Sequence, residues 1–100
     1  MSFRLEVRPQ VGVDVASAAD WYEVRQPGLG AEWVRAVRDS IEEIRRDPRL
    51  PRVRDQGRQI RWILLPRFPY RVVYRVMENV VIVYAVIHTA RHDRQWQRRL

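Results

Sequence analysis

Six side chains in the second half of this 100-residue sequence suit the binding or cleavage of phosphate esters: Arg61, Arg71, Arg75, His88, Arg91 and His92. Guanidinium groups grip phosphate oxygens in pairs and stabilise charge that develops in a transition state. Imidazole serves as acid or base near neutral pH. Arg71 and Arg75 are four apart in a strand-like stretch, so they share a face about 13 Å apart. His88 closes an apolar run, and Arg91 follows three residues later. Such a group suits phosphate binding, transition-state stabilisation or the grip of an acidic peptide. A plainer role stands beside each: the arginines solubilise an open sheet face, and His88 finishes a strand. Further on, Trp96 stands among Arg91, Arg94, Arg98 and Arg99. There an indole either stacks on a base or docks against the sheet, and a C-terminal aromatic more often docks.

Several other chemistries have no residues to carry them. The sequence has no cysteine, which removes disulfides, thiolate nucleophiles and most structural zinc sites. It has no Gly-rich phosphate loop, and no cofactor or metal is expected. Ser2, Ser17 and Ser40 lie far in sequence from both histidines. Asp39, Glu42, Glu43 and Asp47 crowd one helical segment with Arg35, Arg38, Arg45 and Arg46 at helical spacing, the pattern of a solvated face. The longest apolar run, Val80 to Ile87, is far short of the roughly 20 residues that span a bilayer. The opening MSFRLEVRPQ alternates apolar and charged residues and lacks the apolar core of a signal peptide. The expectation is one domain over residues 1–100, cytoplasmic and without membrane contact.

Charge is unevenly distributed. All 19 basic residues are arginine, against 12 acids, for a net charge of +7. Residues 1–50 hold eight arginines and nine acids, whereas residues 51–100 hold eleven arginines and three acids. The positive field of the second half attracts phosphate backbones or an acidic protein.

These residues need a scaffold, and the hydrophobic pattern supplies one. Phe3, Leu5 and Val7 alternate with charged residues, predicting a half-exposed strand that ends at Pro9. Asp14 reads as the N-cap of a helix running through Ala16, Ala18, Ala19 and Tyr22. Pro27-Gly28-Leu29-Gly30 breaks it. Trp33, Val37, Ser40 or Ile41, and Ile44 then form the stripe of a second helix, stopped at Asp47-Pro48. A short turn between two helices makes an antiparallel hairpin. The rest is strand-rich: a short piece near Val53, Ile60 to Leu65, Tyr70 to Met77, and Val80 to Ile87. In the third of these, Tyr70, Val72, Tyr74 and Val76 take one face and Arg71, Val73, Arg75 and Met77 the other. Glu78-Asn79 is a hairpin turn with Asn suited to positive φ. Val80 to Ile87 is apolar on both faces, hence central. Arg91 to Leu100 is a short basic helix or tail. The predicted class is α+β: an N-terminal strand, then a helical hairpin on one face of a three- to four-stranded, mainly antiparallel sheet. The other face would carry Arg71 and Arg75 to solvent.

The ordered set of motifs resembles the RelE/ParE superfamily of type II toxins over most of the chain. Its parts are Ala19-Asp20-Trp21-Tyr22, Pro27-Gly28-Leu29-Gly30 and Ile44-x-x-x-Pro48. Then come Phe68-Pro69-Tyr70-Arg71-Val72-Val73-Tyr74, Val86-Ile87-His88, and Arg91 with Trp96 and Arg99. The resemblance implies a small basic toxin, neutralised in a hetero-oligomer by a cognate antitoxin. That antitoxin is expected to be short and acidic and to fold on binding, either between helices and sheet or over the basic face.

The two branches imply different targets. RelE-like members are ribosome-dependent endoribonucleases; by motif position Arg71 and Arg91 match their arginines, with His88 or His92 available as acid or base. That branch's catalytic tyrosine should lie about six residues beyond Arg91, and His92 to Gln97 contains none. ParE-like members lack the nuclease residues and act on DNA gyrase as binders. The missing tyrosine and the Phe68-Pro69-Tyr70 segment favour the ParE-like branch. Arg61, Arg75, Arg94, Trp96 and Arg98 are then the candidate binding residues. An inactive or RNA-binding member of the fold is the further alternative.

Overall fold

The computed structural model describes residues 3–91 and 93–100, so His92 lies outside the described residues. The chain runs β1 (Arg4–Val7), α1 (Pro9–Arg25), α2 (Leu29–Arg46), β2 (Val53–Asp55), β3 (Ile60–Leu64), β4 (Tyr70–Met77), β5 (Val80–His88) and α3 (Arg94–Gln97). The α+β class and the helical hairpin agree with the sequence pattern. The antiparallel strands expected after the helices are present, and the N-terminal strand joins their sheet. The sheet has five strands in the order β1-β5-β4-β3-β2, with β1 parallel to β5 and the other neighbours antiparallel. The apolar strand β5 is central, and Val81 to Ile87 are all buried.

Helix α1 starts five residues before Asp14, at Pro9, whose fixed φ and missing N–H suit the first helical position. Asp14 is therefore not a cap; it lies inside the helix and has another task, described below. Between the helices, Gly28 takes φ 91° as the N-cap of α2, a conformation open to glycine at no steric cost. Glu23 reaches across the turn, accepting from the Gly28 and Gly30 amides at 2.9 and 3.0 Å. A side chain at Gly30 would meet the Ala19 carbonyl oxygen at 2.8 Å, so glycine lets the two helices close together. The α2 stripe is as predicted: Trp33, Val37, Ser40 and Ile44 are buried and Ile41 is half-buried. In the β4–β5 turn it is Glu78, not Asn79, that takes positive φ, at 57°.

The main core lies between the hairpin and one sheet face, where Trp33, Val37 and Ile44 meet Val72, Tyr74, Val81 and Val83. A β-bulge sets which β5 residues join it. Tyr74 pairs with Val83 and Val73 with Ala85, leaving Tyr84 as the extra residue. Before the bulge Val81 and Val83 face the helices; after it Val86 does. The opposite face is not the open surface that the alternation predicted. A second cluster of Ile60, Val73, Ala85 and Ile87 sits there, covered by Trp96 of α3.

Candidate functional site

On the helix side, the carboxyl end of β5 opens into a groove of about 890 Å3. Its walls are α1 (Val13, Asp14, Ser17, Trp21, Tyr22), the Arg67-Phe68-Pro69-Tyr70 segment, His88 at the end of β5, and Arg91, Gln95 and Arg99 beyond it. The groove exists because β1 is short. β1 pairs only with Val80 to Val83, so the outer edge of β5 from Tyr84 onward has no strand beside it. Two side chains far apart in sequence cover that edge. Asp14 Oδ2 accepts from the Val86 amide at 3.0 Å, and Arg99 Nη1 donates to the Tyr84 carbonyl at 3.1 Å. They also grip each other bidentately, at 2.6 and 2.9 Å, with both side chains mostly buried. An ion pair thus satisfies backbone groups that a sixth strand would otherwise take.

An aromatic cluster shapes the floor. Trp33 lies 4.4 Å from Tyr70 and 5.4 Å from Phe68 between ring centroids, and Tyr22 lies 5.1 Å from Phe68. The Trp33 indole donates to the Val15 carbonyl at 2.9 Å, which locks the cluster to α1. Burial pushes the Tyr70 hydroxyl above its ordinary pKa, with the Arg91 charge opposing it. Burial, with the neighbouring Tyr70, raises Tyr22 likewise. The His88 ring packs edge-on to Tyr70 at 5.2 Å, and its Nδ1 accepts from the Ala90 amide at 3.0 Å. With Nδ1 accepting, the neutral ring carries its proton on Nε2. Arg91 is exposed at the rim. Beside the groove, α1 presents Val13, Trp21 and Val24 to solvent, and Val24 is 84 % exposed.

The sequence-predicted residues divide between the two sheet faces. His88 and Arg91 belong to the groove. Arg71 is on the far side and only 8 % exposed, against the expectation that it faces solvent. It donates to Asp93 Oδ1 at 2.7 Å and to the Arg91 carbonyl at 3.3 Å, with its guanidinium 4.7 Å from the Trp62 ring centre. The chain after β5 folds over that face, and Arg71 pins it. Trp96 docks, 1 % exposed, with its indole N–H on the same Asp93 at 3.3 Å. Arg75, half-buried, donates to the Arg58 carbonyl at 2.8 Å. Arg61 donates to the carbonyls of Arg49 and Pro51, tying down the loop after α2. Arg94 and Arg98 are exposed near the C-terminus.

The Asp14–Arg99 pair and the Trp21 stripe escaped sequence reasoning. The pair spans 85 positions and leaves no local signal. The stripe did leave one, since Val13, Ser17, Trp21 and Val24 recur at helical spacing on a face separate from the core residues Val11 and Ala18.

Comparison with known proteins agrees with this architecture. No curated protein sequence matches the chain. Among solved structures, the chromosomal ParDE toxin-antitoxin system from P. aeruginosa is similar, with a TM-score of 0.76 at 16 % identity, covering 87 % of this chain and 96 % of that one. That likeness carries the fold. The model of the ParE toxin of the type II toxin-antitoxin system parDE matches residues 5–93. The chain belongs to the ParE toxin family.

Proposed function

We propose that this chain is the toxin of a type II pair and halts growth by engaging DNA gyrase through protein contacts, without catalytic chemistry of its own. One observation favours this over RNA cleavage. The sheet separates the candidate catalytic groups, with His88 and Arg91 in the groove and the Arg71 guanidinium buried on the other face against Asp93. A general base and a charge-stabilising arginine must reach one reacting phosphate together. The groove suits the cognate antitoxin. Trp21 and Val13 offer apolar anchors, and Arg67 and Arg91 offer charge to an acidic segment.

Induction of the protein without its antitoxin, with transcript 5′-end mapping and a supercoiling assay on purified gyrase, tests the proposal. The expected result is growth arrest, intact transcripts and loss of supercoiling. New cuts inside translated codons would overturn it in favour of the ribonuclease. Absence of arrest would overturn the toxin assignment itself.

A further inference from the structure

Beyond Arg67 and Arg91 in the groove, most of the basic excess of the chain is left unused by the proposed function. Helices α1 and α2 hold seven acids and five arginines; the rest of the chain holds fourteen arginines and five acids. Part of this excess, Arg4, Arg8, Arg54 and Arg75, stands on the sheet face turned away from the hairpin, with Glu6 of β1 beside it. Arg4 of β1 alternates with core-facing Leu5 and is exposed there. Arg8 lies over the Tyr84 ring at 5.5 Å but is paired with Glu6 at 3.4 Å, and Arg75 meets the Tyr84 hydroxyl at 3.5 Å. At the other edge Arg54 of β2 lies over Trp62 at 5.1 Å. Arg54 and Arg75 are held by rings and a carbonyl rather than by carboxylates, so these contacts position their charge without cancelling it.

The apolar surface points elsewhere. Val13, Trp21 and Val24 are on the hairpin side. On the far face the exposed large apolar residues, Leu64 and Met77, sit at opposite ends of β3 and β4. The register places them about 20 Å apart. Protein interfaces centre on desolvated apolar anchors and exclude charge from their cores, whereas nucleic-acid interfaces are polar and strongly positive. We infer that the far sheet face, through Arg4, Arg54 and Arg75, binds the phosphate backbone of a nucleic acid. The site lies across the sheet from the groove, so antitoxin in the groove leaves it open.

The test is fluorescence anisotropy of the full chain with three labelled 20-mers, single-stranded RNA, single-stranded DNA and duplex DNA, from 50 to 300 mM KCl. The triple variant Arg4→Gln/Arg54→Gln/Arg75→Gln is compared with a helix-side control of equal charge change, Arg35→Gln/Arg38→Gln/Arg46→Gln. The double variant Arg4→Gln/Arg54→Gln, altering only exposed side chains, guards against loss of fold through Arg75. Micromolar binding is expected to at least one probe. The far-face triple should weaken it at least about 10-fold and flatten the log–log salt slope by about 2. The double should do so by a smaller factor and the control by less than about 2-fold. The preferred probe identifies the nucleic acid. Equal losses in the triple and the control would reduce the effect to net charge and overturn the inference, as would no binding to any probe at 50 mM KCl.

Discussion

The two faces of the sheet are alike in their strands and unlike in their covers. On one, a hairpin of 17 and 18 residues seals a core of Trp33, Val37, Ile44 and the aromatic cluster. On the other, a four-residue helix sets one indole, Trp96, over Ile60, Val73, Ala85 and Ile87. The large cover closes its core mainly by shape. The small one is too short to hold itself down, and ion pairs supplement it: Arg71 to Asp93 beneath the segment and Arg99 to Asp14 at its end. The difference teaches where the molecule can give. A helix as short as α3 is marginal by itself, so its stability rests on Trp96 and these pairs, whereas the hairpin also gains from the α2 stripe.

Substitutions on each side break this comparison at different depths. Trp33→Ala should be the most damaging, at about 4 kcal/mol, because the indole is fully buried and held on both sides. Urea titration should find the variant largely unfolded or insoluble. Trp96→Ala should cost less, about 3 kcal/mol, since the C-terminal segment can lift and let water replace the ring. Its distinguishing mark is local: Arg71 should become reactive toward an arginine-specific reagent, read by peptide mass, while the chain stays folded. Equal costs for the two variants would mean that the faces unfold as one unit with no weaker side. Arg99→Ala should cost about 2–3 kcal/mol, leaving the largely buried Asp14 carboxylate without its counter-charge. Adding Asp14→Ala should recover part of that loss, and a double-mutant cycle reads the coupling.

How much of this was legible in the sequence depended on whether the cause was local. The α2 stripe, the stop at Asp47-Pro48, the alternation of Tyr70 to Met77 and the central place of β5 each follow from periodicity within a few residues. The bulge at Tyr84 does not, because every position from Val80 to Ile87 is apolar and nothing there marks a change of face. Asp14 was misread for a related reason. A carboxylate before a run of alanines looks like a cap, and only the chain's return at Arg99 gives it a partner inside the helix. The same return buries Arg71. From the strand alone it is a solvent-facing arginine; once the chain crosses back, Asp93 and the Arg91 carbonyl are in reach. Of the candidate site, His88 and Arg91 were legible as neighbours, and their separation from Arg71 was not.

Tyr74 offers the smallest effect and the sharpest sign. It is fully buried on the hairpin side, and its hydroxyl donates to the Pro48 carbonyl at 2.8 Å, joining β4 to the end of α2. Tyr74→Phe should cost about 1 kcal/mol at neutral pH, the net worth of one hydrogen bond. Burial, aided by Asp47 and opposed by Arg61, pushes the hydroxyl up from 10.0 to about 12. In the unfolded chain the phenol loses its proton near its ordinary value, while the folded chain keeps it for about two further units, so the folded state binds more protons in that window. The stability from the retained proton is full below about pH 10 and declines as pH rises toward about 12. Urea midpoints measured at pH 8, 10, 11 and 12 should fall less steeply above pH 10 in Tyr74→Phe than in the parent. The raised hydroxyls of Tyr22 and Tyr70, on the groove floor, would account for part of the decline that persists. An unchanged decline would mean that Tyr74 ionises with its contact to Pro48 already broken, and that the end of α2 is looser against the sheet than the rest of the hairpin.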